Sequence, residues 1–268
     1  MVSPPDIPIE VVESEDSGRR PYIAFEHVSK SFGSLHVLRD ISFDVMPGET
    51  VCILGRSGVG KSVSLQHIMG FLKPDAGRIY VDGEDITPFT EEQMQAVRRK
   101  VTMVFQNGAL FDSLTVAENV AFPLRERGGL REDEILQITR GLLEMVGVPE
   151  MAEMLPSGLS TGMKRSVAIA RALAAEPQAI LYDEPTTMVD PLIARLLGNL
   201  IQKLQRQLHL TSIVVTHDVH FAERLADRVL FLHEGRAEFF GTMEEMKRSS
   251  DEVLQQFLSL DMVPMPVL

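Results

Sequence analysis

The sequence has little cysteine, an excess of acidic over basic residues and no long apolar run. One cysteine, Cys52, cannot form an intrachain disulfide, and its apolar neighbours predict burial as a small hydrophobic residue. The longest apolar stretches have strand length, short of the roughly 20 residues that span a bilayer, so any membrane role is expected to be peripheral. A formal net charge of -12 argues against a nucleic-acid partner, whose binding requires basic residues that neutralise phosphates.

The composition is that of a folded protein: 44% of the 268 residues are hydrophobic, enough for one large domain or for a core with a subdomain. Residues 1–20 are rich in Pro, Glu, Asp and Ser. They have neither the basic start nor the apolar centre of a signal peptide, which predicts a disordered, cytoplasmic lead-in. The tail from residue 250 to residue 268 contains no motif that indicates a role.

Short apolar runs alternate with helical stretches along most of the chain. Strands are predicted at residues 23–27, 41–45, 50–54, 78–81, 101–105, 179–182, 212–215 and 228–232. Helices are predicted at residues 63–71, 162–175 and 191–208, and residues 116–154 are mostly helical. This alternation predicts an α/β core with a mainly parallel sheet, an N-terminal antiparallel β subdomain and an α-helical subdomain inserted at about residues 107–160.

The predicted helix at residues 191–208 has a leucine at every fourth position. This spacing predicts that the leucines lie along one side of the helix and belong to the core. They are Leu192, Leu196, Leu200, Leu204 and Leu208.

A glycine-rich segment lies between the strand at residues 50–54 and the helix that follows. Its residues are Gly55, Arg56, Ser57, Gly58, Val59, Gly60, Lys61 and Ser62. Side chains at the three glycines would obstruct the approach of backbone N–H groups to a phosphate. Lys61 supplies a point charge for the β- and γ-phosphates, and the Ser62 hydroxyl can bind Mg²⁺. The segment therefore predicts a phosphate loop of the P-loop NTPase type, a class that includes kinases, GTPases and motor ATPases.

Polar side chains follow three predicted strands at the edge of the sheet where ligands of parallel sheets bind. Asp183 is predicted to bind Mg²⁺, and Glu184 to polarise a water molecule. His217 is predicted to hydrogen-bond the γ-phosphate and hold that water, and Gln106 to bridge the metal, the water and the helical insert. The alternatives are a solvated loop for the acidic pair and a structural role for the histidine.

Two further residues have two possible roles each. Asp190 precedes Pro191 and a long helix, so it is either an N-cap, an interface residue or both. Phe32, in an early hairpin, either stacks on an adenine ring or packs as an ordinary aromatic residue.

Residues 159–163 read Leu-Ser-Thr-Gly-Met, with Thr161 where the common form of this segment has glycine. With the phosphate loop, Gln106, Asp183, Glu184, Asp190 and His217 in this order, the chain resembles ABC-transporter ATPase subunits over about residues 22–242. The resemblance implies ATP and Mg²⁺ as cofactors. It also implies an ATPase domain at residues 21–242, followed by a C-terminal helix and tail at residues 243–268.

In that family the segment at residues 159–163, here called the signature segment, closes over ATP held by another subunit. The resemblance therefore implies a homodimer in which Ser160 and the Gly162 amide contact the γ-phosphate of the partner's ATP. It implies that Glu184 is the catalytic base and that Gln106 relays nucleotide occupancy to a multispanning permease. It also implies a cytoplasmic position, peripheral on the inner face of the cell membrane.

A narrower resemblance rests on residues 105–116 (FQNGALFDSLTV), 122–126 (FPLRE) and 155–163 (LPSGLSTGM). These segments look like the ATPases of MCE-type (mammalian-cell-entry) lipid transporters. The likeness implies transport of phospholipid or a related lipid, with an MCE-type substrate-binding protein reached through the permease. The alternatives are the ATPase of an amino-acid or ion importer, an ABC ATPase with a soluble partner, and a phosphate-loop kinase. Thr161, bulkier than glycine, is expected to spare ATP binding and to slow closure or turnover.

Overall fold

The structure is a computed structural model that describes residues 20–261. The predicted lead-in therefore lies outside the described residues except for Arg20. The end of the predicted tail, residues 262–268, lies outside them as well.

The described strands form two sheets. The strands are β1 (Ile23–Phe32), β2 (Leu35–Val45), β3 (Thr50–Leu54), β4 (Ala76–Val81), β5 (Glu84–Asp85), β6 (Val101–Val104), β7 (Ala179–Asp183), β8 (Thr211–Thr216), β9 (Arg228–His233) and β10 (Arg236–Gly241). The larger sheet has the order β10-β9-β3-β8-β7-β6 and is parallel except for β10. The smaller sheet, β2-β1-β4-β5, is antiparallel. The predicted α/β class is confirmed, and β4 and β5 extend the antiparallel subdomain beyond its N-terminal hairpin.

The described α-helices alternate with the strands of the larger sheet and also form an insert. They are α1 (Lys61–Ile68), α2 (Glu91–Lys100), α3 (Val116–Arg127), α4 (Glu132–Met145), α5 (Thr161–Leu173), α6 (Pro191–Leu208), α7 (Val219–Leu225), α8 (Met243–Arg248) and α9 (Glu252–Asp261). The insert consists of α3, α4 and two short 3-10 helices, Pro149–Met151 and Pro156–Gly158, between β6 and α5. Thr115 and Glu118 form a capping box that fixes the start of α3. No helix within residues 20–261 has the length and apolarity required to cross a membrane.

The strands of the larger sheet alternate their side chains between two hydrophobic cores. In β3, Cys52 and Leu54 belong to the core formed with α3–α7, whereas Val51 and Ile53 face α1, α2 and the antiparallel sheet. Cys52 is fully buried, as predicted, and burial raises the pKa of its thiol. Both faces of the larger sheet are covered by other elements. The polar side chains that follow its strands are therefore available to a ligand only at the edge where the strands have their carboxyl ends.

The helix α6 has the predicted bounds, and its predicted core face is confirmed only in its second half, where Leu204 is buried and Leu200 and Leu208 pack against the core. Leu192 and Leu196 are 61% and 53% exposed, so their assignment to the core is wrong. Residues four apart on a helix rotate by about 40° from one to the next, because a turn holds 3.6 residues. A row of leucines at that spacing therefore winds out of the core. The buried residues of α6 are Ala194, Leu197, Gly198, Ile201 and Leu204.

Candidate functional site

The phosphate loop joins β3 to α1, and two of its glycines are required by the protein's own packing. Gly55 and Gly60 have φ values of 149° and 103°. A Cβ atom at Gly55 would lie 2.4 Å from the Leu232 carbonyl oxygen, and one at Gly60 would lie 2.8 Å from the Val37 carbonyl oxygen. At Gly58 a Cβ atom would meet nothing within 4 Å. The prediction that all three glycines are needed to admit a phosphate is thus incomplete: two of them let the loop pack against β9 and β2.

The first two residues of α1 place a cation and a hydroxyl beside the loop. The Lys61 side chain is buried, and its Nζ donates to the carbonyl oxygens of Gly55 at 2.8 Å and Arg56 at 3.1 Å. The Ser62 hydroxyl donates to Asp183 Oδ1 at 2.7 Å. Lys61 therefore lies over its own loop, and Ser62 links α1 to the end of β7.

The adjacent parallel strands β7 and β8 end at the same edge and bring Glu184 and His217 together. Glu184 Oε2 lies 2.8 Å from His217 Nδ1 and accepts a hydrogen bond from the Thr187 hydroxyl at 3.2 Å. Glu184 Oε1 lies 3.3 Å from Lys61 Nζ. The carboxylate is thus held by three side chains from three parts of the chain.

The backbone of Glu184 is strained. Its φ of 47° lies in the left-handed region that disfavours residues with a side chain, and its N–H donates to the Val215 carbonyl oxygen at 2.9 Å. Backbone strain of this kind persists only where the surrounding structure enforces it, and it clusters at functional sites.

The groups around Asp183 suit a magnesium ion bound together with a nucleotide. Burial, and secondly the charge of Glu184, raise the pKa of Asp183, while the Ser62 hydrogen bond and Lys61 act in the opposite direction. A hydroxyl, a carboxylate and the amide of Gln106, which lines the same cavity, provide oxygen ligands. Mg²⁺ accepts few protein ligands and takes others from phosphates and water. Ser62 and Asp183, which are hydrogen-bonded to each other, could hold Mg²⁺, and Gln106 lines the cavity together with Ser62.

A cavity of about 400 Å³ lies beside these groups; Asp183, Gly55, Arg56 and Val59 are not among its lining residues. Eight of its lining residues were predicted as site residues: Ser57, Gly58, Gly60, Lys61, Ser62, Gln106, Glu184 and His217. Three were missed: Val37, Val63 and Thr187. Val37 reaches the cavity because β2 packs against Gly60, a contact that no motif in the sequence indicates. For Thr187, its position three residues after Glu184 was an available signal.

The predicted adenine-stacking residue, Phe32, is not a lining residue of this cavity. It ends β1 in the early hairpin with its ring 46% exposed, and Lys30 Nζ lies 5.6 Å from the ring centroid. Stacking on adenine stays a prediction for Phe32.

None of the residues of the signature segment is a lining residue of this cavity. Ser160 caps α5, and its hydroxyl oxygen accepts from the Met163 N–H at 3.3 Å. Thr161 is the first residue of α5 and is exposed. A Cβ atom at Gly162 would lie 2.6 Å from Ile193 Cγ2, so the start of α5 packs directly on α6.

Asp190 caps α6, one of the two roles that its position allowed. Its Oδ1 accepts from the N–H groups of Leu192 at 3.0 Å and Ile193 at 3.1 Å. An interface role stays a prediction. Because Ile193 also packs on Gly162, the cap and the signature segment are neighbours.

Comparisons with known proteins agree with this arrangement. The family model for ABC transporters matches residues 38–187, more than half of the chain. The intermembrane phospholipid transport system ATP-binding protein MlaF of Haemophilus influenzae is 39% identical over 84% of this chain and 86% of its own length. The methionine import ATP-binding protein MetN of Brucella abortus is 37% identical over 84% of this chain and 60% of its own length.

A solved structure matches the fold as well as the sequence. The ATP-binding cassette MJ0796, in a dimer bound to ADP and Pi, superposes with a TM-score of 0.76 at 32% identity, covering 82% of this chain and 98% of that one. ABC ATPase cassettes work as dimers with membrane permeases. The phosphate loop, the strand-end carboxylates and these likenesses together place the chain in the ABC transporter family, as an ATPase subunit that hydrolyses ATP to power a transporter.

Proposed function

We propose that this subunit powers an MCE-type transporter of phospholipid or a related lipid. It works as a homodimer on a multispanning permease, peripheral on the cytoplasmic face of the cell membrane. The observation that carries the proposal is the stretch after Gln106, residues 108–116. It supplies much of the likeness to lipid-transport ATPases, and its Phe111 forms an exposed aromatic surface together with Phe122 of α3.

That surface is built around Phe111 and Phe122, here called the aromatic pair. Their ring centroids lie 4.8 Å apart, and the side chains are 44% and 37% exposed. The fully buried Asn119 fixes the backbone beneath them, because its Oδ1 accepts from the Phe111 N–H at 2.8 Å and its Nδ2 donates to the Phe111 carbonyl oxygen at 3.1 Å. The pair is therefore held in place and open to a partner.

A rigid exposed aromatic pair suits a protein interface, where aromatic anchors provide much of the binding energy. The pair follows Gln106 by only a few residues, and Gln106 lines the nucleotide cavity. A permease bound at the aromatic pair would thus be linked by a short stretch of chain to the state of the nucleotide. An MCE-type substrate-binding protein would be reached through that permease.

The ATPase roles are those that the family resemblance implies, and the cavity supports those of Glu184, His217, Gln106 and the phosphate loop. Glu184 is the general base, His217 orients the attacking water or the γ-phosphate, and Gln106 bridges the metal and the insert. Ser62, Asp183 and Gln106 would hold Mg²⁺, which neutralises charge on the phosphates when bound. The loop residues from Gly55 to Ser62 bind the phosphates, and Phe32 stacks on adenine.

The position of the signature segment supports the homodimer. Ser160 and Gly162 are not among the lining residues of the cavity in their own chain. A second copy that presents its signature segment and Asp190 would complete the site.

The rival function is the ATPase of an amino-acid or ion importer, and the likeness to MetN supports it. Lipid transport is favoured because the likeness to MlaF extends over 86% of that protein, against 60% for MetN. Many amino-acid and ion importers have glutamine at the position of Met163 and lack the Gly-Ala-Leu-Phe run of residues 108–111, so both features favour lipid transport. An ABC ATPase with a soluble partner would leave the aromatic pair without a membrane protein to bind.

The test is purification from membranes in mild detergent, followed by mass spectrometry of proteins and lipids. A multispanning membrane protein and phospholipid should accompany the chain. The variant Phe111→Ala/Phe122→Ala should lose the membrane protein, since it removes the anchors while Asn119 stays in place. The matched control is Leu136→Ala, which removes another exposed apolar side chain of the insert, 53% exposed on α4.

Three outcomes decide between the candidates. Consistent absence of a membrane protein would contradict the transport function. A copurified permease with an amino acid or ion as cargo would favour the rival. Equal loss of the permease in the Leu136→Ala control would remove the specific role of the aromatic pair.

A further inference from the structure

We propose that Arg165, on α5, is a positioning residue. It couples α5, which begins in the signature segment, to the two loops that carry Gln106 and Glu184. The inference rests on the roles of Glu184 and Gln106 given under Proposed function. It adds a residue outside the nucleotide cavity and a route by which the orientation of α5 affects hydrolysis.

The Arg165 guanidinium joins three parts of the chain. Its side chain is buried, with 4% of the residue exposed. Nη1 donates to the Phe105 carbonyl oxygen at 3.3 Å, and Nη2 donates to the Thr187 carbonyl oxygen at 3.5 Å. Phe105 immediately precedes Gln106 in the chain. Arg165 therefore contacts the backbone of the Gln106 loop and of the Glu184 loop at once.

Thr187 transmits the contact to the catalytic carboxylate. Its hydroxyl donates to Glu184 Oε2 at 3.2 Å, and its N–H donates to the Glu184 carbonyl oxygen at 3.2 Å. A shift of the Thr187 carbonyl moves the hydroxyl that orients Glu184. Because Glu184 already has a strained φ, its orientation depends on such neighbouring contacts.

The surroundings of Arg165 are unfavourable for stability. Within residues 20–261 no carboxylate forms an ion pair with Arg165, its Nε is buried without a hydrogen-bond partner, and burial lowers the pKa of the guanidinium. A buried charge without an opposite charge destabilises a fold, and its replacement by an apolar side chain of similar size is often neutral or stabilising. A purely structural role therefore does not explain an arginine at this position. A positioning role does, because only the planar guanidinium can donate to both carbonyl oxygens at once.

Arg171, also on α5, provides a matched comparison. It donates to the carbonyl oxygens of Ala109 at 2.8 Å and Gly108 at 3.1 Å, and burial lowers its pKa as well. It holds only the segment after Gln106 and contacts neither Thr187 nor Glu184 in the hydrogen bonds of the described residues. Arg165 and Arg171 thus differ in whether they reach the Glu184 loop.

The consequence concerns communication between copies. A partner's nucleotide that engages Ser160 at the start of α5 would turn a helix that is tied through Arg165 to this chain's own Glu184 and Gln106. Contact with one nucleotide would in this way adjust the geometry of hydrolysis at the other.

The experiment is a double-mutant cycle on the full chain, with kcat, KM for ATP and Tm measured for each variant. Arg165→Met should lower kcat about ten- to hundredfold, as expected for a displaced catalytic group. Its KM for ATP and its Tm should remain close to the starting values. Arg165→Lys should recover part of kcat, because a single ammonium can reach one carbonyl. Combined with Thr187→Val, Arg165→Met should lower kcat by less than the product of the two single effects.

The control cycle pairs Arg171→Met with Thr187→Val, and its effects on kcat should multiply. Fully multiplicative effects of Arg165→Met and Thr187→Val would overturn the inference. So would a fall in Tm and ATP binding that accounts for the fall in kcat of Arg165→Met. Turnover of Glu184→Gln, measured alongside, distinguishes this failure from a failure of the proposed role of Glu184.

Discussion

The nucleotide cavity and the signature segment differ in how completely the chain builds them. In and beside the cavity, residues far apart in sequence contact one another directly: Ser62 with Asp183, Lys61 with Glu184 and Glu184 with His217. At the signature segment, the Ser160 hydroxyl oxygen caps its own helix, α5, by accepting a hydrogen bond from the Met163 N–H. Asp190 does the same for α6. The contacts of the nucleotide cavity are thus formed within the chain, whereas those of the signature segment are left open to another molecule.

The difference has a physical basis. A charged cluster that is partly buried must be paired internally, because an unpaired buried charge is unfavourable. A segment that acts on another molecule has to leave its contacts open, so its polar groups are satisfied locally by helix capping. Substitutions in the cavity should therefore affect chemistry within one copy, whereas substitutions at the signature segment should affect what happens between copies.

The largest expected effect on activity comes from a substitution in the nucleotide cavity. Glu184→Gln should reduce ATP turnover by about 10² to 10⁴-fold while ATP binding is kept, since a carboxamide can occupy the same space but cannot accept a proton from water. Turnover is measured by phosphate release, and binding by titration with a fluorescent ATP analogue. The variant should accumulate as an ATP-bound dimer in size-exclusion chromatography.

Glu234→Gln, at an exposed position with a side chain 79% accessible, is the control for this change. It should have normal turnover. Near-normal turnover of Glu184→Gln would mean that another group activates the water.

A smaller effect is expected where the buried and outward faces of α6 meet. Ile201→Ala should lower the free energy of unfolding by about 2–5 kcal/mol, because Ile201 is 1% exposed and its loss leaves a cavity. Leu196→Ala, on the outward face, should change it by no more than about 0.5 kcal/mol in the isolated chain. Urea denaturation of both variants measures the difference. Equal losses would restore Leu196 to the core and contradict its observed exposure.

The smallest effect is expected at Thr161. Thr161→Gly should leave ATP affinity unchanged and alter turnover by at most tenfold, about 1.4 kcal/mol in the barrier, because the residue is exposed in its own chain. Thr161→Ala separates side-chain size from the added flexibility of glycine. Loss or gain of tight ATP binding in Thr161→Gly would show that position 161 also affects the loop in its own chain.

The same two regions show what the sequence could predict. The predicted bounds of β3 and α6 coincide with the observed ones, because turn residues flank the strand and an Asp-Pro cap begins the helix. The cluster of Asp183, Glu184, His217 and Gln106 was predicted because neighbouring parallel strands end at one edge. Turn and capping residues were sufficient to predict these elements, and the parallel order of the strands was sufficient to predict that the polar side chains meet.

The failures share a cause as well. Leu192 and Leu196 were misplaced because residues spaced four apart drift around a helix of 3.6 residues per turn, and the sequence does not indicate which part of that row is covered. The roles of Val37 and Arg165 were missed because they depend on contacts with Gly60, Phe105 and Thr187, each remote in sequence. Such contacts arise only when the layers pack.

The place of β3 in its sheet bears on how the protein is made. The strand that carries the phosphate loop, β3, pairs with β8 on one side and β9 on the other, and the loop itself packs against the Leu232 carbonyl. These neighbours emerge from the ribosome more than 150 residues after β3. Contacts of such long sequence separation form late. For most of its synthesis, the nascent chain therefore has its glycine-rich loop without the neighbouring strands that support it. ATP can stabilise the folded state only after β9 has been synthesised.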